Sequence, residues 1–97
     1  MKISNKGLDL IFEYTSHIKM SRVNEVEMEI TAYGAGLLNQ NQFDSLVSFV
    51  YDIGVEEFRK SSVRNSLSNL NIYKITSDLL TIGDKERREK EKNLFEL

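Results

Sequence analysis

A chain of 97 residues has room for one hydrophobic core, so residues 1–97 read as a single domain. Hydrophobic residues at 40% and charged residues at 29% are ordinary for a water-soluble domain, and no apolar run is long enough to span a bilayer. With 13 basic and 15 acidic side chains the net charge is −2, which excludes a general attraction to nucleic acid or anionic lipid. The absence of cysteine excludes disulfides and thiolate chemistry. Met1 to Gly7 is polar and carries no signal-peptide pattern, so the expected location is the cytoplasm. No proline and five glycines suit short connections between helices.

In chain order, Leu8, Ile11, Phe12, Thr15 and Ile18 predict an amphipathic helix from about Gly7 to Lys19, with Asn5 as its cap. Ser21 can cap a second helix, in which Val23, Val26, Ile30 and Tyr33 recur along one face. Val26, Met28, Ile30 and Ala32 also alternate with polar residues as a strand would. Helix is preferred, because no partner strand with comparable alternation exists in the chain. After Tyr33-Gly34-Ala35-Gly36 comes the stretch LLNQNQFDSLVSFVYDIG, Leu38 to Gly54. Asn39 or Asn41 caps it, and Phe43, Leu46, Val47, Val50 and Ile53 line one face. Phe49 and Tyr51 make it apolar nearly all round, so it is expected at the centre of the fold, with Gly54 as a left-handed C-terminal residue. A single turn over Val55 to Phe58 follows, then a helix capped by Ser61 or Ser62 and running to about Leu70. The last two helices are expected from about Asn71 to Ile82 and from Lys85 to Phe95, the latter capped by Asp84. The predicted architecture is all-α: a bundle of five or six helices around Phe43 to Ile53.

The central stretch resembles the phage-type lysozymes (endolysins), in which a Leu-x-x-x-Gln-aromatic-Asp-Ala-Leu opening leads to Phe-Asn-x-Gly. The matching residues are Leu38, Gln42, Phe43, Asp44, Leu46, Phe49 and Gly54, with Ser45 in place of Ala and Asp52 in place of Asn. Phe58, Ser61, Ser62, Val63 and Leu67 are similar to a Phe-x-x-Ser-Thr segment further on. Arg87, Arg88, Glu91, Leu94 and Phe95 are similar to the closing Arg-Arg-x-x-Glu-x-x-Leu-Phe helix. The opening Ile3-Ser4, Gly7 and Leu8 matches less closely.

The resemblance implies a lysozyme-like helical lobe. In that family the lobe is joined to a small β-lobe, and the general acid is a glutamate in a Glu-Gly pair at the end of the first helix. Glycoside hydrolysis needs two carboxyl groups across the scissile bond. Here the segment reads Phe12-Glu13-Tyr14-Thr15-Ser16, and no glycine follows Glu13. Matching Ile18-Lys19 to the family's Leu-Lys puts Tyr14 at the acid's place, and matching from Ile3-Ser4-Gly7 puts Thr15 there. Glu13 misses that place by one or two residues, and one residue turns a helical side chain by ~100° away from the cleft. Only Met20-Ser21-Arg22 separates Lys19 from Val23, whereas one strand takes ~5 residues, so the β-lobe has no room.

From this the chain is expected not to be an enzyme, with no catalytic residue, cofactor or metal. His17 is a lone histidine without triad or ligand spacing, and no glycine-rich phosphate loop is present. Lys85 to Lys92 reads as a salt-bridged helix, with Glu86–Lys90 and Arg87–Glu91 as i, i+4 pairs, rather than a nucleic-acid face. The function expected is a protein-binding module of phage or prophage origin that inhibits or regulates a host or lysis protein. Its partner would dock where the β-lobe was, on Phe12, Tyr14, Met20, Val26 and Met28, since exposed apolar surface marks interaction sites. The alternatives are peptidoglycan binding without cleavage, and a residual or homo-oligomeric muramidase that uses Glu13 as its acid and rebuilds a cleft from two chains.

Overall fold

The computed structural model describes residues 1–97, apart from the side chain of Ala35. Seven α-helices follow one another: α1 (Asn5–Phe12), α2 (Met20–Gly34), α3 (Gln40–Ile53), α4 (Val55–Arg59), α5 (Ser62–Ser68), α6 (Ile72–Leu79) and α7 (Lys85–Phe95). A 3₁₀ turn spans Ala35–Leu37, and no strand occurs among the described residues. The all-α reading holds, with the turn after Gly54 counted as a helix of its own.

The central helix is α3. Asn39 accepts from the Gln42 amide at 2.8 Å and Gln42 accepts from the Asn39 amide at 2.9 Å, a reciprocal cap that fixes where the helix starts. Phe43, Leu46, Val47, Phe49 and Val50 are fully buried, and α1, α2, α4 and α7 all pack against this helix. The second helix is α2, as preferred over the strand, with Val23, Val26 and Ile30 in the same core. It begins at Met20, so Ser21 lies inside it rather than at its cap.

Two helices differ from the sequence reading. α1 stops at Phe12 instead of Lys19: the chain turns over Glu13 and Tyr14 and crosses to α2, with Ile18 reaching the core from the link. Its N-cap is Ser4 rather than Asn5, and the Ser4 amide donates to Asp44 of α3 at 2.9 Å. Helix and N-terminal segment come close at Gly7: a Cβ there would lie 2.5 Å from Ile3 Cγ1 and 2.9 Å from Asp44 Cβ. α6 ends at Leu79, short of Ile82. At the other helix ends, Ser61 and Asp84 accept from Arg64 and Glu86 amides as expected.

Gly54 joins α3 to α4 at φ 91° and ψ 155°, which is positive in φ but not the left-handed helical geometry the sequence suggests. That region is open essentially to glycine alone. No atom would crowd a Cβ there within 4 Å, so a substitution tests backbone strain by itself. Gly54→Ala is expected to lower the stability to urea by about 1–3 kcal/mol while leaving the far-UV spectrum unchanged.

Candidate functional site

The C-terminal half of α3 and the charged face of α7 build one buried ionic network. Residues three and four apart share a helix face, so Arg87 and Arg88 both reach Glu91, at 3.2 and 2.6 Å. Ser48 of α3 donates to the same carboxylate at 2.7 Å, and Arg87 donates to the Ser48 carbonyl at 2.9 Å. Arg88 also pairs with Asp52 at the end of α3 and donates to the Ile82 carbonyl at 2.8 Å, so the α6–α7 turn is held too. Arg88 and Glu91 are wholly buried, and the Arg88 guanidinium lies 4.8 Å from the centre of the Phe49 ring. Burial pushes the Glu91 carboxyl above its ordinary range, against the opposing pull of Arg88 first and then of Ser48 and Arg87. The Lys85–Lys92 run is therefore not simply a solvated helix. Its outer side is, with Lys90 3.7 Å from Glu86, but Arg87, Arg88 and Glu91 form an interior face.

Next to this network lies the end of α1. The Tyr14 ring has the Arg87 guanidinium 4.8 Å from its centre and the Lys90 ammonium at 5.4 Å. Lys90 donates to Glu13 at 2.8 Å, and its ammonium is held well above the usual lysine range, by Glu13 first and Tyr14 second. Because α1 stops at Phe12, Glu13 is its C-cap residue. Glu13 therefore stands at the end of the first helix, one or two places before Tyr14 or Thr15, to which the resemblance gives the acid's place. The offset from the family pattern stands, because the backbone at Glu13 is still helical, at φ −62° and ψ −22°.

The connection to α2 is short and tied down. The Lys19 amide donates to the Tyr51 hydroxyl at 3.1 Å, and Arg22 donates through Nε to the Tyr51 carbonyl at 3.0 Å while lying 4.9 Å from its ring centre. Residues 13–19 form no strand.

Of the expected partner contacts, Phe12, Met20 and Met28 are exposed at 55%, 51% and 73%. Tyr14 is half-buried under its two cations. Val26 is corrected: at 1% exposure it packs in the core beside Val23 and Ile30, as an i, i+3, i+7 stripe facing α3 should. Sequence reasoning missed Asp52 and Lys90 as members of this site. Their only signal was spacing on α7 and the substitution of Asp for Asn at position 52. No group of three or more metal-ligating side chains occurs among the described residues. Nor is any helix long and apolar enough to cross a membrane.

A helical lobe closed by a buried Arg-Arg-x-x-Glu network, with a carboxyl group at the end of its first helix, is the scaffold of a lysozyme. The phage lysozyme family model matches residues 10–92, and the chain belongs to that family. It is 31% identical over 98 residues to an endolysin of Salmonella phage P22, an alignment covering 92% of this chain and 66% of that protein. Its fold is also that of the muramidase domain of SpmX from Asticaccaulis excentricus, with a TM-score of 0.81 and 20% identity over 97% of both chains. These matches overturn the expectation that the chain is not an enzyme. The matched family is that of the phage lysozymes and the P22 relative is an endolysin, both enzymes, and the chain spans 66% of that relative's length.

Proposed function

We propose that this chain is directed at peptidoglycan, that Glu13 is the carboxyl group it brings to glycoside cleavage, and that a second macromolecule closes the cleft over Phe12, Tyr14 and Met20. The observation that carries the reading is the position of Glu13 at the end of α1, beside Lys90 and Tyr14 and open to solvent. Glycoside hydrolysis needs a second carboxyl group opposite the first. The seven residues from Glu13 to Lys19 supply no wall to hold one, so the partner, a second copy of the chain included, provides that side. Exposed Phe12 and Met20 stand at the two ends of the link that carries Glu13 and suit the centre of such an interface.

Purified peptidoglycan tests this in one assay that reads both sedimentation of the chain and release of reducing ends, without and with host or phage lysate fractions. The chain is expected to pellet with the wall and to release reducing ends once the completing fraction is present. Glu13→Gln is expected to keep the sedimentation and lose the release. Release undiminished by Glu13→Gln would remove Glu13 from the role, and a chain that stays in the supernatant would remove the wall as target.

A second reading is favoured by Met28, which stands out on α2 away from Glu13. There the exposed edge binds and regulates a host or phage protein. The same assay separates the two, because this reading leaves the chain in the supernatant.

A further inference from the structure

Between α2 and the N-terminal segment, Met1, Lys2, Asn24, Glu27, Met28 and Thr31 line a cavity of about 530 Å³ that shares no residue with the Glu13–Lys90 pair. Glu27 is only 5% exposed, and its two oxygens are placed differently. Oε2 accepts from the Ile3 amide at 2.7 Å. Oε1 is fully buried and accepts no hydrogen bond. The one cation within 4 Å of it among the described residues is the Lys2 ammonium, at 3.6 Å, too far for a hydrogen bond and on an exposed side chain. The Thr31 hydroxyl is spent elsewhere, on the Glu27 carbonyl at 2.7 Å. Buried polar atoms are nearly always paired, so an unpaired carboxylate oxygen beside a cavity points to a donor that arrives from outside.

We propose that this cavity takes the primary ammonium of a lysine side chain from a partner protein, bonded to Glu27 Oε1 in place of Lys2. The site lies outside the wall-directed reading, and it gives the second reading, an α2 edge that binds a protein, the chemistry of its partner. A carboxylate oxygen calls for a donor, which excludes anions, and a charge-assisted bond is roughly twice as strong as a neutral one. A guanidinium pairs best with two carboxylate oxygens, and Glu27 has only one to give. A hard metal ion takes ~6–8 oxygens. No group of three or more metal-ligating side chains occurs among the described residues. A compact ammonium needs a single strong acceptor, and Lys2 shows that the chain already brings this group toward Oε1. Asn24, one turn before Glu27 on the same face of α2, offers a carbonyl to a second of its donors. Met1 and Met28, both exposed, form a pliable apolar rim for the aliphatic stem of the lysine.

Amide NMR spectra of the full ¹⁵N-labelled chain test this with four probes. They are lysine capped as its Nα-acetyl N-methylamide, the same compound acetylated on the side-chain amine, the capped arginine analogue, and n-butylamine. The capped lysine is expected to shift the amides of Ile3 and of residues 24–31. Side-chain acetylation should weaken binding at least about tenfold, the loss of one charge-assisted hydrogen bond. The arginine analogue should bind more weakly for want of a second oxygen, and n-butylamine for want of contacts with the rim. Lys2→Gln should tighten lysine binding up to about fivefold, because it removes an exposed competing ion pair. Glu27→Gln should abolish binding while keeping an acceptor for the Ile3 amide. Lys2 and Asn24 are exposed, so Lys2→Gln and Asn24→Ala carry the test even where Glu27→Gln fails to fold. Asn24→Ala should weaken binding about two- to tenfold. Equal binding of the acetylated lysine, undiminished binding by a folded Glu27→Gln variant, or looser binding by Lys2→Gln would overturn the assignment. n-Butylamine binding as tightly as lysine would overturn the partner protein and give the site to a free amine. No shift with any probe would overturn the site itself, with water alone serving Oε1, and the sedimentation assay would still decide between wall and protein.

Discussion

Arg88→Met is expected to destabilise the protein by about 3–5 kcal/mol at neutral pH, because it leaves a buried carboxylate without its closest cation. Glu91 would keep Arg87 at 3.2 Å and Ser48 at 2.7 Å, but it would lose the guanidinium at 2.6 Å that opposes its burial most. The Ile82 carbonyl and Asp52 lose a donor in the same step. For a domain of this size each kcal/mol corresponds to roughly 4–8 °C in Tm, so thermal and urea melts should both show the loss clearly.

The pH dependence has a definite sign. The Glu91 carboxyl already titrates above the ordinary value of 4.5 in the folded chain, so the stability linked to it is present below that value and falls as pH rises through the folded one. Removing Arg88 raises the folded value further. The deficit of the variant against the parent should therefore be smallest below 4.5 and widen toward neutrality. Adding Glu91→Gln to Arg88→Met should recover part of the loss, since no charge is then left stranded. Identical urea midpoints for Arg88→Met and the parent at pH 7 would show that the network contributes nothing.

Phe49→Ala is expected to cost about 3–5 kcal/mol as well, for a different reason: it opens a cavity where the apolar core meets the ionic layer. The ring is fully buried, with core side chains around it and the Arg88 guanidinium 4.8 Å from its centre. Phe49→Leu keeps most of the volume, and volume-conserving exchanges usually cost less than about 1.5 kcal/mol. The gap between the two variants in urea melts measures the cavity. Near-equal losses would point instead to the ring's contact with Arg88.

Periodicity served well where apolar side chains of a helix meet the core. The buried face of α3, its Asn39 cap, and the run of α7 from Asp84 to Phe95 were all legible in the sequence. It misled at α1, where Thr15 and Ile18 continue the apolar spacing although the chain has already turned. Ile18 does pack on the core, but from the connection rather than from a helix, and spacing alone cannot tell those apart. The candidate site was half legible. Glu13 and Tyr14 drew attention through their offset from the family pattern. Their pairing with Lys90 and Arg87 needs α1 and α7 side by side, a contact between residues 77 positions apart. The interior face of α7 was hidden for a physical reason: a charged run looks solvated unless an acceptor-rich surface such as Ser48 and Asp52 is known to lie against it.

The link between α1 and α2 has a consequence for how such a domain can change its size. Its two ends are moored independently, Tyr14 under Arg87 and Lys19 on the Tyr51 hydroxyl. Between those moorings only Ile18 packs on the core, so the link can lengthen around it without moving either mooring. Each doubling of a flexible insert there adds only ~0.6 kcal/mol of closure entropy. The link is therefore a place where added length costs the fold little, provided that Ile18 keeps its seat on the core.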